Sequence, residues 1–197
     1  MDKYTFVALP EKHILEKLNA VRTYLYTNGY RYSTILPKNN VHITLAQAGL
    51  PPETNLNLLR KDLQTELAEV TSFEVEYDYI TDKINPANEK YPQGSAWIAL
   101  HFQNDNLRDL TIKIDTYLLS KGMSETKDYV KELGLNPEIN LYSQIADHMN
   151  LCNYARVDRM EEARKYISEN VSNKFAITTI ALRDSVGNQV WEFDLKW

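Results

Sequence analysis

The stretch VHITLA, residues 41–46, alternates Val41, Ile43 and Leu45 with His42 and Thr44. That is the period of a β-strand with one face turned into a core. His42 and Thr44 therefore share the opposite face. A histidine two residues from a hydroxyl on an uncommitted strand face asks for a partner elsewhere in the chain.

Such a partner exists. In DHMNLC, residues 147–152, Met149 and Leu151 face one way and His148 and Asn150 the other. The two histidines lie 106 positions apart (148 − 42). Around each, a polar-faced strand is followed by a helix and then by an alternating strand, which is weak internal symmetry rather than a sequence repeat. If the two strands lie near each other in one sheet, two histidines and two hydrogen-bonding side chains converge on one concave face.

The elements between them are legible from their periods. KYTFVAL (3–9) reads as an apolar strand ended by Pro10. A helix over 11–28 places Ile14, Leu18, Val21 and Leu25 on one face and stops at Asn28 and Gly29. The first motif strand spans 40–47. A second helix runs through Leu56, Leu59, Leu63, Leu67 and Val70. In FEVEYDYI, Phe73, Val75, Tyr77 and Tyr79 alternate with Glu74, Glu76 and Asp78, the pattern of a half-buried antiparallel strand. The loop KINPANEKYPQG leads to the strand SAWIALHF, then to a helix on Leu107, Leu110, Ile114 and Leu118 that closes near Gly122. Short helical pieces are expected at about 125–133 and 137–146. After the second motif a helix directs Val157, Met160, Ile167 and Val171 inward, and FAITTIAL and VWEFDLKW form a hairpin turning at Gly187-Asn188. One-sided strands mixed with helices make the fold class α+β, helices outside.

Composition narrows the function classes. The 197 residues carry no Gly/Ser-rich or Pro-rich linker, so a single domain over 1–197 is expected. With 22 basic and 27 acidic residues the formal charge is −5, which argues against a clamp on long nucleic acid and leaves a small or short anionic substrate. The single Cys152 permits no internal disulfide, the start lacks a signal-peptide layout, and no apolar run reaches the ~20 residues of a membrane span. A soluble, cytoplasmic protein without membrane partners is expected.

Two opposed histidines suit phosphodiester cleavage. Imidazole titrates near neutrality, so one ring can take a proton from a nucleophile while the other, protonated, delivers one to the leaving oxygen. Thr44 and Asn150 are spaced to donate hydrogen bonds to the non-bridging oxygens. The scheme needs no metal and no cofactor, and the sequence has no zinc-like ligand spacing, no GxxxxGK[ST] loop and no GxSxG elbow.

Paired His-hydrophobic-Thr/Ser-hydrophobic tetrapeptides, one per half of an α+β chain of this size, resemble the 2H phosphoesterase superfamily, which contains the 2'-5' RNA ligase-like proteins and cyclic nucleotide phosphodiesterases. The resemblance covers most of the chain, from TFVALP through both motifs to the closing strands. It implies a bilobed, pseudo-symmetric fold with two antiparallel sheets flanking a central cleft. It implies metal-independent cleavage of 2'-5' or cyclic phosphodiester bonds in a nucleotide or short oligonucleotide, such as a signalling molecule. His42, Thr44 and His148 carry over as catalytic residues. Asn150 stands where the family pattern has Thr or Ser, which makes a catalytically weakened nucleotide-binding module the alternative.

Around the motifs, Tyr4, Tyr154 and Arg156 are the candidate substrate-binding residues, with Tyr91 a further stacking candidate and Lys3 and Lys38 possible phosphate contacts. His13 is expected at a solvated helix face and His101 as a structural residue of its strand. Cys152, with no neighbouring base in sequence, reads as packing.

Overall fold

The computed structural model describes residues 1–33, 35–138 and 141–196, and the side chains of these except 81–83 and 143–144. Strand β1 (Asp2–Pro10) leads to α1 (Lys12–Thr27), β2 (Ile43–Leu50) and α2 (Leu56–Glu66). Then come β3 (Phe73–Asn85), β4 (Ser95–Phe102), α3 (Asp105–Ser120) and two short helices, α4 (Thr126–Glu132) and α5 (Leu141–Ile145). The chain closes with β5 (His148–Ala155), α6 (Met160–Asn170), β6 (Lys174–Asp184) and β7 (Gln189–Asp194).

Helix faces fall where the apolar period puts them. Ile14, Leu18, Val21 and Leu25 of α1 are buried, as are Leu107, Leu110, Ile114 and Leu118 of α3. Asn55 caps α2 by accepting from the backbone N–H groups of Asn57 and Leu58, and Asn104 caps α3 through that of Leu107. The 125–133 and 137–146 pieces correspond to α4 and α5, although residues 139 and 140 lie outside the described set, as does Trp197 of the closing strand.

The strands pair antiparallel in the order β1-β2-β5-β4-β3-β6-β7, with β1 also paired to β6. The sequence reading expects two separate sheets; pairing instead joins the strands in one hydrogen-bonded array. Long ladders unite β2, β1, β6 and β7 on one side and β5, β4 and β3 on the other. Two narrow seams connect them: residues 73–76 of β3 on 174–177 of β6, and the single pair Ile43–Met149 between β2 and β5. That second seam lies between the two histidine motifs.

Two local irregularities reposition side chains relative to the simple alternation. The register of β3 on β4 shifts between Tyr77 and Tyr79, and a bulge of this kind turns Tyr79 out of the inward series, leaving it 50% exposed. The first motif strand begins at Ile43 rather than Asn40, because the Val41 N–H is taken by the Asn19 side chain of α1 at 3.1 Å instead of by a strand neighbour. His42 thus sits at the mouth of β2, between a loop anchored on α1 and the ladder.

Candidate active site

The Ile43–Met149 pair sets the geometry of the site. In an antiparallel pair the register runs in opposite directions, so continuing it by one residue each way puts Thr44 opposite His148 and His42 opposite Asn150. All four line one cavity of about 640 Å³. His101 of β4, directly paired with His148, and Trp97, two pleats away on the same face, complete its wall. Tyr129, Leu133 and Leu135, from and just after α4, also line it, which gives the 121–146 segment a place in the site.

His148 is oriented by the residue before it. Its Nδ1 lies 2.6 Å from Oδ1 of Asp147, so the Nδ1–H is given to a carboxylate and Nε2 is left as the ring atom for other partners. Trp97 packs edge-on to the imidazole at 4.7 Å between ring centroids, which restrains its rotation. The other carboxylate oxygen of Asp147 lies 3.8 Å from Nδ1 of His101. His101 stacks on Tyr79 at 4.8 Å and its Nε2 is buried without a partner. Burial lowers the His101 pKa against the opposing pull of Asp147, so this ring is neutral at pH 7.

His42 is in a different state. Nη1 of Arg183 approaches its Nδ1 to 2.6 Å, and the Asn40 carbonyl lies 2.9 Å from the same atom. A guanidinium can only donate, so Nδ1 carries the lone pair toward Arg183 and the imidazole proton sits on Nε2. The Asn40 carbonyl accepts from Arg183 Nη1 at 3.0 Å instead. Burial foremost, then the charge of Arg183, brings the His42 pKa down to about 3. The free protein therefore presents a neutral His42 with its N–H on Nε2, beside a His148 whose Nδ1 is taken by Asp147.

Among the described residues the Thr44 hydroxyl has no hydrogen-bond partner, and the side chain lines the cavity. The Asn150 amide donates to Oδ1 of Asn153 at 2.6 Å, while its own Oδ1 is buried without a partner. Tyr154 lines the same cavity, with a left-handed backbone (φ 56°) and its ring stacked on Tyr91 at 5.3 Å.

Two expected contacts lie elsewhere. Tyr4 packs against the core and lines no part of the cavity: alternation along β1 turns its neighbours Lys3 and Thr5 to the surface groove, and so turns Tyr4 inward. Arg156 is bound by Asp158 through two hydrogen bonds, of 3.1 and 2.7 Å, and does not reach the cavity. Cys152 is fully buried and its thiol pKa is pushed up to about 12, consistent with packing. A register shift between β4 and β5 at Ile98–Ala99 ends the alternation there and turns Cys152 away from the cavity.

Sequence reasoning missed Asp147, Trp97 and the two buried arginines Arg22 and Arg183. Asp147 was visible as the residue preceding the second motif, and Trp97 as the i−4 neighbour of His101 on one strand face. Among the described residues no cluster of three or more His, Cys, Asp or Glu is placed to hold a metal ion, and no helix is long and apolar enough to cross a membrane.

No family model and no curated protein matches the sequence. Solved structures do. The chain aligns over 100% of its length with 98% of Escherichia coli LigT in its apo form, at 14% identity and a TM-score of 0.51. It aligns equally fully with LigT complexed with phosphate, at 14% identity and a TM-score of 0.50. A crystal structure described as a phosphoesterase matches over the full length of both chains, at 15% identity and a TM-score of 0.50. The whole chain thus has the LigT fold.

Proposed function

We propose that the protein is a two-histidine phosphodiesterase, acting on a 2'-5' or cyclic phosphodiester of a nucleotide or short oligonucleotide without a metal. The observation that carries this reading is the convergence of both motifs, His42/Thr44 and His148/Asn150, on one cavity across the Ile43–Met149 seam. LigT, the protein of like fold, has been crystallised with phosphate and with NADP+, which supports a nucleotide phosphate as the ligand here. The two flanking groups of strands play the part of the two sheets on either side of the cleft.

In this scheme the Nε2 of His148, with Asp147 behind it, removes the proton from the attacking oxygen as the new P–O bond forms. His42 then delivers a proton to the oxygen of the P–O bond that breaks. Delivery requires a protonated His42. A phosphodiester anion entering the cavity opposes the arginine charges that depress the His42 pKa, and so favours its imidazolium form. Thr44 Oγ and the Asn150 amide donate to the non-bridging oxygens, and Trp97 and Tyr154 offer faces for a base.

The test is a hydrolysis screen in chelator with 2',3'-cyclic mononucleotides, 2'-5' oligoadenylate, cyclic di- and trinucleotides and a 3'-5' control. Cleavage that survives chelator and drops by about 10²–10⁴-fold in both His42→Ala and His148→Ala is the expected result. Undiminished turnover in either folded variant refutes it. A second reading, a binding module with weakened chemistry, is favoured by one observation: the Asn150 amide is engaged by Asn153 rather than left free. Ligand binding without turnover across the panel would select it.

A further inference from the structure

We propose that Arg22 and Arg183 form an anion subsite beside His42 that receives a second phosphate group of the substrate, separate from the one being cleaved. The inference rests on the phosphodiesterase reading and names the substrate class as a nucleotide carrying at least two phosphates.

Both guanidinium groups are buried, at 8% and 3% exposure, and among the described residues no carboxylate pairs with either. A buried cation without an ion-pair partner is costly, and a bound anion would supply the missing charge. The two are held at the same place. Arg22 Nη2 donates to the Asn39 carbonyl at 2.5 Å and to Asn19 Oδ1 at 2.8 Å. Arg183 Nη1 donates to the Asn40 carbonyl and to His42. Each charge opposes protonation of His42, and that of Arg22 opposes Arg183 as well, while the Glu192 carboxylate favours the charged Arg183 without forming an ion pair with it. Among the described residues the Nε and Nη2 of Arg183, and the Nε and Nη1 of Arg22, have no hydrogen-bond partner, and they are not sealed from solvent.

Arg22 lines the catalytic cavity. Arg183 lines a second cavity, of about 530 Å³, that shares Pro37, Asn39, His42 and Tyr129 with the first. Lys38 adds a further cation to its wall. The carboxylates on that wall are directed elsewhere: Glu132 to Lys3 at 3.2 Å, Asp128 to Lys131 at 3.3 Å, and Asp184 to the N–H groups of Val186 and Asn188. Glu125 lies over Gly49, where even a Cβ would meet its carboxylate. An anion can therefore reach the guanidinium fork of Arg183 without displacing an existing ion pair.

The experiment separates this subsite from the chemistry. Inorganic pyrophosphate is titrated into the full chain carrying His148→Ala, followed by calorimetry, with Arg183→Gln, Arg22→Gln, Arg183→Lys and Arg22→Lys added in turn and folding checked by circular dichroism. Binding should weaken at least about tenfold in each Gln variant and by less in each Lys variant, which keeps the charge but not the fork. Unchanged binding in the folded Gln variants, or no binding to the parent, overturns the subsite. Should Arg183→Gln fail to fold, the Arg22→Gln and two Lys variants decide it by the same criterion.

In otherwise wild-type protein, a cleavable dinucleotide with a terminal phosphate should have a KM about tenfold below its unphosphorylated counterpart, with the gap closing in Arg183→Gln. Pyrophosphate binding without any such gap refutes the assignment to a substrate phosphate. Silence on every diester with Arg183-dependent pyrophosphate binding intact refutes the hydrolytic function and supports the subsite.

Discussion

If His42 is held neutral by burial and by Arg183, its protonation must couple to folding. The ring is only partly exposed, and its pKa is about 3 in the folded protein against the ordinary 6.5 expected once the chain unfolds. The sign follows from proton counting: below pH 6.5 the unfolded state binds a proton that the folded state refuses. The His42 contribution is therefore fully present above pH 6.5 and is lost as pH falls toward 3. Between pH 7 and pH 5 the loss is about 1–2 kcal/mol, the upper figure for a ring sealed from solvent and the lower for one whose edge meets the cavity. Urea unfolding followed by tryptophan fluorescence at both pH values, for wild type and His42→Gln, isolates this part, because all other groups titrate in both proteins. Wild type should lose about 1–2 kcal/mol more than the variant over that interval. Parallel losses in the two proteins would refute the buried, arginine-facing state of His42 and, with it, the tautomer assigned from the Arg183 contact.

Three further outcomes follow. Replacing Asp147 with Asn removes the carboxylate behind His148 Nδ1 and should lower kcat about 10–100-fold with KM little changed, read from initial rates on whichever diester the screen identifies. An equal kcat would show that Asp147 does not orient the base. Asn150→Thr frees the position from Asn153 and should raise turnover a few-fold; lower turnover would mean that the amide itself contacts the phosphate. Leu63→Ala empties a fully buried position of α2 and should cost about 2–5 kcal/mol in chemical unfolding without altering KM, whereas a loss below about 1 kcal/mol would contradict the packing of that helix on the sheet.

The apolar periods of the chain set much of this outcome before any tertiary contact forms. Leu18 and Leu25, or Leu107 and Ile114, share a helix face because 3.6 residues make a turn, and that holds wherever the helix is placed. His42 and Thr44, like His148 and Asn150, share a strand face because successive side chains alternate. The two motifs, the fold class and the catalytic candidates were accordingly legible in the sequence. Tyr4 was not, because its orientation depends on which face of β1 the sheet buries, and Tyr79 and Cys152 escaped alternation through register shifts that only paired strands can create. The charge state of the site was hidden for a different reason. Arg183 meets His42 from 141 positions away in sequence, and Asn19 and Arg22 of α1 anchor the loop before the motif. Alternation and helical period act over a few residues, whereas desolvation and Coulomb forces act between whatever groups the fold brings together. The sequence by itself determined which side chains could share a face; the tertiary structure decided which faces meet, and so which histidine is backed by a carboxylate and which stands beside two buried cations.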